Sequence, residues 1–166
     1  MATAQHSRSR VSGAGEAGTF RRLVGALLLV IGIAAGPAAA QETVGKVITA
    51  EQAMQLAASG EIVLVDVRSP QEWRQTGVPA GAEMVTIHQP NGLIGFLDAM
   101  GEALGDDRGR PIALICARGN RSSVASTALA RAGYTQVYNI REGMFGSPDG
   151  PGWMARGLPM DSCRTC

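Results

Sequence analysis

Cys116 is the residue that the sequence best equips to do chemistry. It closes the apolar run IALI and opens the stretch CARGNRSSVAST, in which Arg118, Gly119 and Arg121 precede a row of small residues. A loop of this composition leads from a strand end into a helix N-terminus, the place where ligands of open α/β sheets gather. Its backbone N–H groups can curl toward one point, the helix adds partial positive charge, and the two guanidiniums add whole charges. Each effect favours thiolate over thiol, so the expected chemistry is nucleophilic attack by the Cys116 sulfur. The competing reading, a buried and inert cysteine at a strand end, gives no role to the glycine and the arginines.

The elements that must position this loop alternate between strand and helix. Val44 to Ile48 is a short strand. Thr49 and Gln52 form a capping-box pattern that opens a helix through Ala58, ended by Gly60. Ile62 to Val67 is a β-branched run suited to a strand buried on both faces. Ser69, Pro70 and Glu72 fit the N-cap, first and third positions of a short helix carrying Trp73. Gly77 to Gly81 reads as a turn, and Met84 to Ile87 as a strand. Leu93, Phe96, Leu97, Met100 and Leu104 show helical spacing over Gly92 to Leu104. Pro111 to Ile115 is a strand, Ser122 to Arg131 a helix ended by Gly133, and Gln136 to Ile140 the last clear strand. The Gly- and Pro-rich stretch Gly143 to Pro159 reads as mostly loop. This rhythm predicts a single α/β domain with a mainly parallel central sheet and helices on both faces.

Composition narrows the function classes. The chain has 166 residues, 15 basic and 14 acidic, with 45% hydrophobic and 4% aromatic residues. A charge of +1 argues against nucleic acid as a partner, since phosphate binding needs a basic surplus. Residues 1–22 carry Arg8, Arg10, Arg21 and Arg22 against the single acid Glu16, and the apolar run LVGALLLVIGIAAG follows from Leu23 to Gly36. That run is short of the roughly 20 residues a bilayer crossing needs. With Pro37 and Ala38-Ala39-Ala40 after it, residues 1–40 read as a signal peptide cleaved after Ala40, placing the mature protein in a periplasm or outside the cell. An uncleaved anchor is the alternative, and it is the one route by which the membrane would be a partner. Beyond residue 40 there remain 11 basic and 13 acidic residues, so polarity near Cys116 must come from the loop itself.

The stretch LVDVRSPQEWRQTGVPAGAEMV (Leu64 to Val85) resembles the rhodanese signature of a strand ending D-x-R, a short helix, a G-x-x-x-G-A turn and another strand. CARGNRS (Cys116 to Ser122) resembles that family's active-site loop, and Glu142-Gly143 with Trp153 to Pro159 resembles its closing segment. The likeness spans residues 44–160. Two departures are Val78, where many relatives carry histidine, and the longer insertion Phe145 to Gly152. The resemblance implies a rhodanese-like fold and a sulfurtransferase. Cys116 would take a sulfane sulfur from a donor such as thiosulfate, become a persulfide, and pass the sulfur to a thiophilic acceptor, a small molecule or a partner protein's thiol. It implies that the amides of Ala117, Arg118, Gly119, Asn120, Arg121 and Ser122 cradle the persulfide, and that Asp66 and Arg68 support the base of the loop. Charge alone suggests Arg118 and Arg121 as contacts for the donor anion.

Related folds also host phosphatases and arsenate reductases built on C-x5-R. Here the spacing is C-x4-R, a tighter cradle suited to one bound sulfur atom rather than a tetrahedral oxyanion. A slow or non-catalytic sulfur-carrier or binding module is a third reading. Residues 161–166 form a tail with Cys163 and Cys166 in a C-x2-C pair. A local disulfide suits an oxidising compartment, two thiolates supply half of a zinc shell, and a tail that folds back could resolve the Cys116 persulfide. His88, the one histidine beyond residue 40, reads as a loop residue, and Trp73 and Trp153 as packing. No phosphate-binding glycine motif is present, so no nucleotide or flavin cofactor is expected, and with His88 far along the sequence from the two tail thiolates no metal is expected either.

Overall fold

The computed structural model describes residues 43–166; the leader expected over residues 1–40 lies outside them. The element order is β1 (Thr43–Val47), α1 (Ala50–Ala58), β2 (Val63–Asp66), α2 (Pro70–Thr76), β3 (Val78–Pro79), β4 (Glu83–Met84), α3 (Gly92–Leu104), β5 (Ile112–Ile115), α4 (Asn120–Arg131), β6 (Gln136–Ile140) and β7 (Met160–Asp161). Five strands form one parallel sheet in the order β1-β6-β5-β2-β4, so β5, which delivers Cys116, runs down its middle.

Alternation along the strands sends successive side chains to opposite faces. Val65, Ile112, Leu114 and Val137 pack on one face with Phe96 and Met100 of α3 and Ala125 and Leu129 of α4. Leu64, Ala113, Ile115 and Ile140 pack on the other with Ala50 and Ala53 of α1, and with Met144 and Trp153. Helices therefore cover both faces, and the near-continuous apolar runs of β2 and β5 follow from that double burial. Both expected capping boxes form. The Gln52 N–H donates to the Thr49 hydroxyl at 3.1 Å while the Thr49 N–H donates to Gln52 Oε1 at 2.9 Å. Ser69 and Glu72 exchange the same bonds at 3.3 and 3.0 Å.

Besides one-residue shifts at the ends of β1, β2 and β5, the structure differs from the sequence reading at three places. Within Gly77 to Gly81, Val78–Pro79 is a strand, because the tail returns to pair with it antiparallel as β7. The strand read over Met84 to Ile87 begins one residue earlier and ends as a ladder at Met84, although Val85 and Ile87 still donate to Asp66 and Val67 at 3.2 Å each. Helix α4 begins at Asn120 rather than Ser122, with Gly119 as its N-cap in the left-handed conformation at φ 85°. Among the described residues no helix is long and apolar enough to cross a membrane.

Candidate functional site

Cys116 follows β5 directly and is buried. The parallel register sets Ile115 beside Asp66 of β2 and Ile140 of β6, so the loops after all three strands open at the same end of the sheet. The turn from Cys116 to Gly119 is closed by the N–H of Gly119, which donates to the Cys116 sulfur at 3.1 Å, and the Ser122 hydroxyl lies 3.5 Å from the same atom. Both donors stabilise negative charge on sulfur. Glycine is required at 119: a Cβ there would stand 2.2 Å from the Arg141 carbonyl oxygen.

The start of α4 at Asn120 changes what the loop offers. The first N–H groups of a helix have no partner within it. Among the described residues, the N–H groups of Ala117, Arg118, Asn120, Arg121 and Ser122 donate to no backbone carbonyl. The loop that follows the sulfur thus keeps amides without backbone acceptors, beside the Gly119 N–H that already reaches the sulfur. Its carbonyls are engaged on the outer side, where Cys116 and Ala117 accept from Met144 and Phe145 at 2.9 and 3.0 Å. That bracing segment is itself fixed by Glu142. Burial opposes ionisation of this carboxyl, but the N–H groups of Ala50 (2.6 Å) and Gly152 (2.9 Å) and the guanidinium of Arg156 (2.9 Å) hold its pKa below the ordinary value. The insertion Phe145 to Gly152 folds into a tight turn, bridged between Ser147 and Gly150 and tied to Glu142 through the Gly152 N–H. It presents the Gly146 carbonyl to Arg118 at 3.4 Å.

The two loop arginines have different fates. Arg121, expected on charge alone to meet the donor, is committed to Glu72 of α2 through two bonds of 2.6 and 2.7 Å. The pair lowers the Glu72 pKa from 4.5 to about 2, chiefly through the hydrogen bond from Arg121, and raises that of Arg121 in turn. Arg118 is exposed and, among the described residues, pairs with no carboxylate. It is the loop cation left for an anionic ligand. A cavity of about 340 Å³ lies beside the loop, lined by Ile87, His88, Leu93 and Val124 with Asn120 and Arg121.

Asp66 and Arg68 form a fully buried pair, with Arg68 Nε and Nη2 on the carboxylate at 2.6 to 3.0 Å. The remaining donors of Arg68 reach Thr76 (2.8 Å) and the Gly77 carbonyl (2.7 Å), so the pair fastens the end of α2. Neither side chain hydrogen-bonds to residues 117–122 among the described residues; support for the loop passes through α2 and Glu72. Sequence reasoning assigns Glu72 only to its helix cap and misses its second role, since nothing local marks a partner 49 residues away. The tail cysteines are joined as a Cys163–Cys166 disulfide and Cys116 is the free thiol. Among the described residues no cluster of side chains could hold a metal ion.

The Glu72 pair carries a pH signature. Because its folded pKa is depressed, its stabilisation is fully present above about pH 4.5 and is lost as pH falls toward 2. After solvent screening of this part-exposed pair we expect an effect of about 1 kcal/mol. Urea midpoints measured from pH 6 down to 2 check it: the gap between wild type and Glu72→Gln should close across that window, and a constant gap would contradict the pairing.

The rhodanese-like domain model matches residues 49–146 of the chain. Thiosulfate sulfurtransferase GlpE of Pseudomonas syringae pv. syringae is 35% identical over 98 residues, covering 59% of this chain and 82% of that protein. The uncharacterized protein RP600 of Rickettsia prowazekii is 31% identical over 104 residues, 58% of this chain and 80% of that protein. The crystal structure of Rv0390 from M. tuberculosis superposes with a TM-score of 0.60 at 32% identity, covering 73% of this chain and 100% of that one.

Proposed function

Because the chain belongs to the rhodanese-like domain family, we propose that it is a sulfurtransferase working through a persulfide on Cys116. The observation that carries this reading is a buried cysteine sulfur contacted by the Gly119 N–H and the Ser122 hydroxyl, followed by loop amides without backbone acceptors. In the first step the Cys116 thiolate attacks the outer sulfur of thiosulfate; the new S–S bond forms as the old one breaks, and sulfite leaves with its electron pair. The persulfide anion is then held by the amides of residues 117–122. In the second step a thiophilic acceptor takes the terminal sulfur and returns the thiolate. Arg118 receives the donor dianion, and Arg121, neutralised by Glu72, positions the loop. The cavity flanked by His88 and Leu93 suits the approach of the acceptor. The leader-like composition of residues 1–40 supports an exported protein, so the mature chain isolated from cells should begin at Gln41.

Parallel assays with thiosulfate plus cyanide and with an aryl phosphate test the reading. We expect thiocyanate and no phosphate release. Phosphate release dependent on Cys116, without thiocyanate, would replace this function with oxyanion hydrolysis, and neither product would leave a sulfur carrier or binding module.

A further inference from the structure

The tail is docked, not free. Strand β7 pairs with β3, and the Gly81 N–H donates to the Asp161 carboxylate at 2.9 Å. Cys163 is buried against Trp73 and Val78, its sulfur 3.8 Å from that of Met84, while Arg74 Nη1 donates to the Cys166 carbonyl at 2.6 Å. Three consecutive residues of α2 therefore look two ways. Glu72 grips Arg121 of the sulfur loop, Trp73 forms the bed of Cys163, and Arg74 holds Cys166. The buried indole N–H of Trp73 has no acceptor among the described residues, so the helix is held there by packing, and the tail supplies part of it.

The bridge between Cys163 and Cys166 spans a sequence separation of 3. So small a ring constrains little of the unfolded chain, so it is a poor staple for the fold. Its effect is local, on the segment that covers α2. The two sulfurs also differ in access: Cys163 is buried, Cys166 is part-exposed, and Arg164 and Thr165 between them are exposed. An incoming thiolate can meet Cys166 while Cys163 is the leaving group.

We propose that Cys163–Cys166 is a second, redox-active site, reduced by an external dithiol and coupled through α2 to the loop of Cys116. One thiolate of the dithiol attacks Cys166, the bridge breaks, and Cys163 leaves with the electron pair and takes up a proton. The second thiol of the reductant then displaces Cys166. Two electrons pass to the protein, which gains two thiols, and the reductant becomes a disulfide. Freed of the ring, the tail loosens from Trp73 and Arg74, α2 loses packing, and Glu72 holds Arg121 less firmly. The oxidised form is thus the one with the ordered sulfur loop. The site itself does not depend on the sulfurtransferase reading; its effect on turnover rests on that reading.

The experiment uses the full chain and dithiothreitol as the probe. With Cys116→Ser, which removes all persulfide chemistry, we expect no titratable thiol in denaturant before reduction and two after it. Reduction should increase amide exchange in residues 70–76 and 117–122, with no such response in Cys116→Ser/Cys163→Ser/Cys166→Ser. In the presence of Cys116, Cys163→Ser/Cys166→Ser should lower kcat/KM for thiosulfate at least about fivefold, mainly through KM. Two thiols before reduction, or exchange in 70–76 unchanged by reduction, would overturn the proposal; so would turnover equal to wild type in Cys163→Ser/Cys166→Ser. Turnover retained by Cys116→Ser would instead overturn the persulfide reading and leave the redox site standing on its exchange data.

Discussion

Cys116→Ser should fold with an unchanged thermal midpoint and lose thiosulfate-dependent thiocyanate formation by roughly 10⁴-fold or more. The substitution exchanges sulfur for oxygen at a buried position and keeps the shape of the loop, because the Gly119 N–H and the Ser122 hydroxyl can donate to the new oxygen as they do to the sulfur. What it removes is the atom that can both attack sulfane sulfur and release it again. A serine hydroxyl stays protonated at neutral pH, and no histidine or carboxylate hydrogen-bonds to residue 116 among the described residues to take that proton. The check is a steady-state assay beside a thermal melt. A lost midpoint would make the loss of activity uninformative, whereas activity within tenfold of wild type would remove Cys116 from the role of nucleophile.

Asp66→Ala should cost about 3–5 kcal/mol and lower the melting midpoint by at least about 10 °C. Asp66 and Arg68 are both at 0% exposure, and the carboxylate accepts three bonds from the Arg68 side chain and one from its backbone N–H. Removing one partner leaves a guanidinium buried with only Thr76 and the Gly77 carbonyl for company. Those contacts hold the end of α2, so sulfur transfer should fall along with stability as Glu72 loses its footing against Arg121. Replacing both partners, as Asp66→Leu with Arg68→Met, should be less damaging to stability than Asp66→Ala alone, since no charge remains stranded. If the double replacement melts lower than the single one, the cost lies in shape or in the lost bonds to Thr76 and Gly77 rather than in the orphaned charge.

The parts of this protein that can be read from its sequence are those specified by local chemistry. The runs of β2 and β5, the capping boxes at Thr49 and Ser69, and the glycine in the loop of Cys116 each announce themselves within a few residues. The parts that cannot be read depend on distant segments meeting. Val78 and Pro79 carry no strand pattern and become one only because Met160 and Asp161 return to them. The cap at Ser69 already accounts for Glu72 and conceals its bond to Arg121, the guanidinium that charge alone offers to the donor. The first turn of α4 is hidden because Gly119 and Asn120 are weak helix formers, yet a left-handed Gly119 is what turns the chain into the helix there.

The most direct test is the intact mass of the protein after brief incubation with thiosulfate and removal of excess donor. A persulfide mechanism predicts a gain equal to one sulfur atom, localised to Cys116 by peptide mapping, lost on addition of cyanide and absent from Cys116→Ser. A protein that forms thiocyanate without ever carrying that sulfur on Cys116, or that carries it on Cys163 or Cys166 instead, would contradict it.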